Sequence, residues 1–182
     1  MDKRVEEGKL IVIVAGPNGA GKTTFFDHYL KLRYPQLPFH NADEIASQLC
    51  PEDPASVAVR AGREMLRRVD LCLAEGGGFV VETTLSGRGY ARAIRAWQSV
   101  GYEVHLYFLS LPSVDYSLAR VAARVLQGGH NIPESDIRRR FDKGTGNFYN
   151  LMRDLVDYWF LFDNSAQPPR LIDSGANDHG ES

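Results

Sequence analysis

An α/β fold in three layers (α/β/α), with a mostly parallel five-stranded sheet at its centre, is predicted by two features of this 182-residue sequence. Short, continuous apolar runs alternate with segments of helical periodicity, the order that builds a parallel sheet covered on both faces. The first run, Leu10–Ala15, leads directly into Gly16-Pro17-Asn18-Gly19-Ala20-Gly21-Lys22-Thr23-Thr24, a glycine loop that opens a helix.

Each element follows from its residues. Leu10–Ala15 is the first strand, and a helix runs from Thr23 to about Arg33, stopping before Pro35. Phe39–Asp43 reads as a short strand ending in polar residues. Asp53 as N-cap and Pro54 at the first helical position start a long helix to Ala74. Its inward stripe is Val57, Ala61, Met65, Val69 and Cys72, and Gly76-Gly77-Gly78 ends it. Phe79–Thr83 is the third strand, Tyr90–Val100 a helix and Val104–Leu111 the fourth strand. Ser113–Gln127 predicts a helix, Pro133–Phe160 one or two more, and Arg170–Asp173 the last strand. Residues 175–182 are polar and expected to fray, so the chain reads as a single domain over 1–182.

Composition narrows the classes. A hydrophobic content of 43% with 24% charged residues is that of an ordinary globular domain. The net charge of −2 argues against a general nucleic-acid binder. No apolar run reaches membrane-spanning length, and the charged start Met1–Gly8 lacks a signal-peptide core. Cys50 and Cys72 match no metal spacing and read as reduced structural thiols, so a cytoplasmic location is expected.

The loop Gly16–Thr24 carries the most specific chemistry. Its glycines let backbone N–H groups turn inward around phosphate oxygens. Lys22 supplies charge to the β- and γ-phosphates, the Thr23 hydroxyl reaches Mg²⁺, and the helix N-terminus faces the anion. The chain therefore reads as a holder of a nucleoside triphosphate with Mg²⁺.

Ligands of such sheets bind beyond the C-terminal strand ends, which brings Asp43 and Glu82 to the same rim. A carboxylate there either takes the proton of an attacking hydroxyl or holds Mg²⁺ directly or through water. Asp43 also fits a helix N-cap, since Glu44-Ile45-Ala46 follow it. Thr83 and Thr84 offer hydroxyls to a substrate. Arg120 and Arg124 lie one turn apart, opposite Val114, Leu118, Val121 and Val125. With Gly128-Gly129-His130 as hinge and Arg138-Arg139-Arg140 beyond, they predict a helical lid over about residues 113–145 that closes on the phosphates. His130 has no metal-spaced partner and fits a phosphate or substrate contact. Arg88, Arg92 and Arg95 read as a solvated face, Trp97 and Trp159 as core, and Asn164-Ser165 as an adenine contact.

Absent motifs exclude neighbours. There is no Asn-Lys-x-Asp guanine-reading motif. Leu85-Ser86-Gly87-Arg88-Gly89 echoes a transporter-ATPase signature but stands too close to the loop. Size, strand-end carboxylates and arginine lid together match small-molecule kinases.

The sequence further resembles the zeta-toxin-like P-loop kinases, including the small UDP-N-acetylglucosamine kinases, from about Leu10 to Asp173. The resemblance rests on the Gly16–Thr24 loop, His40-Asn41-Ala42-Asp43-Glu44-Ile45-Ala46 and Glu82-Thr83-Thr84-Leu85-Ser86-Gly87. It continues through Arg120–Pro133, Arg138-Arg139-Arg140-Phe141 and Phe162-Asp163-Asn164-Ser165. It implies a P-loop kinase fold and transfer of the ATP γ-phosphate to a hydroxyl of a nucleotide sugar such as UDP-N-acetylglucosamine. Asp43 matches the family's general base, Glu82 and Thr84 its acceptor-binding pair, and arginines between Arg120 and Arg140, among them Arg139, its ATP-contacting lid. Glu-Thr-Thr stands here where the plasmid toxins have an acid, a glycine and a threonine. An antitoxin protein is a further implied partner. Three alternatives stay open: an NTPase without acceptor, a toxin–antitoxin binding module, and a kinase of another nucleotide or metabolite.

Overall fold

The computed structural model describes residues 9–129 and 131–178. Its centre is β1 (Leu10–Ala15), flanked by β3 (Phe79–Thr83) on one side and β4 (Glu103–Ser110) on the other. The sheet order is β2-β3-β1-β4-β5-β6, where β2 is Phe39–His40, β5 is Tyr158–Asp163 and β6 is Arg170–Ala176. All neighbours pair in parallel except β5 and β6, which are antiparallel. The sheet thus has six strands where the sequence predicts five.

The helices are α1 (Lys22–Phe25), α2 (Ala42–Leu49), α3 (Ala58–Ala74), α4 (Gly89–Ser99), α5 (Val114–Leu126) and α6 (Glu134–Asn147). Alternation along β1 divides the core. Ile11 and Ile13 face a layer containing Phe79, Ile94, Trp97, Phe108 and Phe148, while Val12 and Val14 face Phe25, Phe26 and Leu30. Because both faces are covered, β1 from Ile11 to Ala15 is fully buried. Trp97 is core as expected, and half-buried Trp159 packs against the same layer.

Several boundaries differ from the sequence reading. The first helix changes to π-helical geometry over Phe26–Leu30, and the long third helix begins with a 3₁₀ turn, Pro54–Val57, capped by Asp53 on the Ser56 N–H. The strand expected over Phe39–Asp43 stops at His40, because Asn41 caps α2 by accepting the Asp43 N–H at 2.9 Å. The helix expected to reach Phe160 ends in a π-helical turn at Phe148–Met152, and Tyr158 begins β5. A short aromatic run does not reveal its period. Pairing from His105↔Tyr158 to Ser110↔Asp163 makes it a strand. The last strand extends through Gly175 and Ala176, and Asn177 donates to the carbonyls of Arg153 and Val156 at 2.6 and 2.7 Å. The predicted fraying is thus absent at 175–177, and residues 179–182 lie outside those described. Cys50 and Cys72 are free thiols. No helix among the described residues is long and apolar enough to cross a membrane.

Candidate active site

The Gly16–Thr24 loop leaves β1 where its two neighbours lie on opposite sides, the switch point at which open α/β sheets bind ligands. Gly19 and Gly21 adopt φ of 74° and 75°, conformations that L side chains rarely take. A Cβ at Gly19 would meet the Arg120 Cβ at 3.0 Å, and one at Gly21 the Asn164 Nδ2 at 3.0 Å. The loop is therefore both conformationally and sterically restricted to glycine at these points.

Three side chains hold it from outside. Ser117 Oγ donates to the Asn18 carbonyl at 2.5 Å, and Asn164 Nδ2 donates to the Ala20 carbonyl at 2.6 Å. Arg120 donates to the carbonyls of Asn164 at 2.8 Å, Ser165 at 3.0 Å and Gly19 at 3.4 Å, with its guanidinium 4.9 Å from the Tyr116 ring centroid. Asn164, read from the sequence as an adenine contact, is buried and clamps the loop. The Oδ1 atoms of Asn18 and Asn164 are buried with no hydrogen-bond partner among the described residues.

Glu82 meets the loop at its far end. The register Val14↔Glu82 sets it beside the strand that carries the loop. Thr23 Oγ1 donates to Glu82 Oε2 at 2.7 Å, and Lys22 Nζ lies 3.7 Å from Glu82 Oε1 while donating to the Pro17 carbonyl at 3.1 Å. Both charged side chains are about nine-tenths buried, so each supplies the other's counter-charge. Buried Asn41 donates from Nδ2 to Glu82 Oε2 at 3.1 Å and caps the helix that begins with Ala42-Asp43. Asp43 is exposed in the first turn of α2, on the rim beside this cluster. Thr24 is exposed.

Thr23 Oγ1 and the Glu82 carboxylate bring oxygen atoms together on one side of the loop, the atom type that hard divalent cations accept. No cluster of three or more His, Cys, Asp or Glu that could enclose a metal occurs among the described residues.

The expected lid is anchored at both ends. At the near end, the Ser117–Val121 face of α5 packs against the loop. Arg120 belongs to that face, not to the side opposite Val121, and its guanidinium is engaged by carbonyls. At the far end, α6 packs on the segment after β3, where a Cβ on Gly144 would collide with the Thr84 carbonyl. Asn147 Nδ2 donates to the Leu85 carbonyl at 2.7 Å. Between these ends, Arg124 is exposed. Arg138 pairs with Glu134 and Asp115, and Arg139 pairs with Asp136 at 2.9 Å on its own helix. Arg139 is thus not gathered into the loop cluster, because an i,i+3 carboxylate holds it at the surface. His130 lies outside the described residues. Arg88, Arg92 and Arg95 are exposed as expected.

Thr84 Oγ1 lies 3.0 Å from Ser86 Oγ, and Thr83 Oγ1 accepts the Leu85 N–H at 3.1 Å. Leu85 itself has φ of 57° with its side chain buried, a strained conformation for a non-glycine residue that the Thr83 and Asn147 bonds maintain. Ser117 and Asn147 were missed as site residues, and Asn41 was read only as part of a strand end. Only Asn41 carried a local signal, as an N-cap type before Ala-Asp-Glu.

A loop held by β1 and α5, an acid at the end of β3 and a helix on either side of the rim define a nucleotide-binding P-loop protein with a kinase-like three-layer fold. Residues 11–144 match the family described as AAA domain, and the chain belongs to that family. It is 31% identical over 130 residues to an uncharacterized protein of Haemophilus influenzae, which covers 71% of this chain and 91% of the relative. Among solved structures, it resembles one of the PezAT chromosomal toxin–antitoxin system of Streptococcus pneumoniae (TM-score 0.68, 16% identity, 94% of this chain and 74% of that one). The AvrRxo1-ORF1:-ORF2 structure with ATP gives a TM-score of 0.66 at 18% identity over 92% of this chain, which spans 58% of that one. A gluconokinase of Sinorhizobium meliloti gives 0.52 at 18% identity, covering 90% and 86%. At these identities the likeness is one of fold.

Proposed function

We propose that the chain is an ATP-dependent phosphotransferase that moves the γ-phosphoryl group to a hydroxyl of a nucleotide sugar such as UDP-N-acetylglucosamine. The observation that carries the reading is the Asn41 side chain, which ties Glu82, and through it Thr23, to the helix turn bearing Asp43. A loop that only holds phosphate has no need of an exposed carboxylate on a helix turn tied to its own acid.

In this reading the loop amides and Lys22 hold the β- and γ-phosphates, and Thr23 with Glu82 holds Mg²⁺. A Mg²⁺ ion held by Thr23 and Glu82 would supply positive charge to offset that of the phosphates. Asp43 accepts the proton of the acceptor hydroxyl as the new O–P bond forms and the bond from Pγ to the ADP oxygen breaks. Thr84 orients the acceptor from the other side of Glu82. Arg124 is the lid arginine free to approach the phosphates, whereas Arg120 fixes the loop itself. Catalysis rests on position and electrostatics more than on covalent chemistry. The free thiols suit a reducing, cytoplasmic setting.

Asp43→Asn decides the reading. The Asn41 cap needs only the residue-43 N–H, so the fold is kept. Transfer to UDP-N-acetylglucosamine, followed by mass spectrometry, should fall by about 10²–10⁴ with ATP affinity unchanged. Full activity in this variant removes Asp43 as base, and absence of any phosphorylated sugar nucleotide with the wild type removes the acceptor. Lys22→Ala should lose both binding and transfer.

A second reading, complex formation with a small antitoxin-like protein, is favoured by the fold likeness to the PezAT system. It predicts a stoichiometric partner that co-purifies from the native host and blocks ATP entry.

A further inference from the structure

Beyond β3, between the residue that precedes α4 and the C-terminal end of α6, lies a pocket of about 340 Å³ lined by Arg88, Lys143, Gly146, Asn147, Asn150 and Leu151. None of its lining residues is acidic. Most basic side chains nearby are already engaged: Arg138 with Glu134, Arg139 with Asp136, and Arg153 stacked on Tyr149 and Trp159. The side chains of Arg88 and Lys143 make no hydrogen bond or ion pair with any described residue. Two exposed cationic side chains therefore line the same pocket without an ion-paired partner among the described residues.

The sequence around Lys143 is unusual for a helix. Lys143-Gly144-Thr145-Gly146-Asn147 places two glycines inside α6, each unfavourable relative to alanine. Gly144 is explained by the close approach of the Thr84 carbonyl. Gly146 has no such reason, since a Cβ there would meet only Asn150 Nδ2 at 3.9 Å. What its missing side chain does is keep the pocket open. Arg88 adds the N-terminus of α4, which has no acidic residue in its first turn and no side-chain cap. The pocket is joined to the catalytic rim through Thr84 and Leu85, the strained segment that α6 holds from Gly144 and Asn147.

We infer that this pocket is the anion subsite for the acceptor, in which Arg88 and Lys143 bind the acceptor's own phosphate groups while its hydroxyl lies at Asp43. The inference rests on the phosphotransferase reading above and names the acceptor as phosphate-bearing. Donor and acceptor phosphates then occupy separate cradles, the donor's made of backbone amides and the acceptor's of side-chain cations.

The test uses the full chain saturated with AMP-PNP and Mg²⁺ to fill the P-loop, titrated calorimetrically with inorganic pyrophosphate. The wild type should bind pyrophosphate, and UDP-N-acetylglucosamine should displace it. The double variant Arg88→Gln/Lys143→Gln should weaken pyrophosphate binding roughly tenfold or more. Arg92→Gln, exposed on α4 outside the pocket, should not. Gly146→Leu should block binding by filling the pocket without lowering the melting temperature, which separates loss of the site from loss of the fold. Absence of pyrophosphate binding by the nucleotide-loaded wild type, or equal binding by the double variant, overturns the subsite. So does a failure of the sugar nucleotide to displace the probe. If pyrophosphate behaves as expected but no phosphorylated sugar nucleotide forms, the transfer reading fails and an anion site remains. If product forms with an unchanged acceptor KM in the double variant, transfer stands and the subsite falls.

Discussion

Asn41 donates to Glu82 at 3.1 Å, and the same amide group accepts the N–H of Asp43 at 2.9 Å. One buried side chain thereby joins the Glu82 carboxylate to the backbone turn that bears Asp43. Asn41→Ala should cost about 1 kcal/mol from the lost cap alone, measured by urea unfolding. Asn41→Asp keeps the cap but sets a second negative charge against Glu82, so it should retain stability better than alanine at low pH and worse at neutral pH. Equal behaviour of the two variants across pH would show that Asn41 acts as a cap alone.

Glu82→Gln keeps an acceptor for the Thr23 hydroxyl and removes the charge facing Lys22. Turnover should fall by about 10² and the Mg²⁺ concentration for half-maximal activity should rise. A magnesium titration at saturating ATP checks this. An unchanged magnesium requirement, with only the acceptor KM raised, would move Glu82 from the metal side to the acceptor side.

The two glycines of α6 should respond in opposite directions to alanine. Gly146→Ala should stabilise by about 0.5–1 kcal/mol, the helix propensity difference, because nothing crowds the site. Gly144→Ala gains the same propensity, but its Cβ meets the Thr84 carbonyl, and forcing the two segments apart should cost about 1–3 kcal/mol. Thermal melts of both variants decide it, and stabilisation by Gly144→Ala would mean that the contact with β3 yields easily.

Burial lowers the pKa of His105, against the opposing pull of its 2.5 Å contact with Glu103, and burial followed by nearby Arg68 lowers that of His40. The unfolded chain therefore binds more protons than the folded one below the ordinary histidine value of about 6.5. This contribution is fully present above that pH and is lost as pH falls towards the folded values. The melting temperature should drop between pH 7.5 and 5.5, and the double variant His40→Gln/His105→Gln should show a smaller drop. An identical drop would assign the acid sensitivity to other groups.

How much was legible follows from the range over which each feature is decided. Gly16–Thr24 is legible because its conformation is set within nine residues by glycine backbone freedom and by the strand before it. The buried strands β1, β3 and β4 are legible as continuous apolar runs. The start of helix α2 was displaced because the sequence reading carried Asn41–Asp43 into the preceding strand and offered Asp43 as the N-cap, whereas the Asn41 side chain is the cap. Strand β5 was missed because Tyr158–Phe162 suits a buried helix or a strand, and only pairing with β4 decides between them. Arg120 was read as a phosphate ligand because helical spacing gives relative faces. Which face turns inward was settled when Ser117 and Val121 packed on the loop.

The sequence by itself determined that this protein carries a nucleotide-binding P-loop, since backbone geometry and charge within one short segment suffice for that. Tertiary structure alone decided which acid stands at Thr23, which arginine clamps the loop and where two unpaired cations share a pocket. These depend on side chains distant along the chain, such as Thr23 and Glu82 or Arg88 and Lys143, being brought together by strand order and helix packing, which no local pattern encodes.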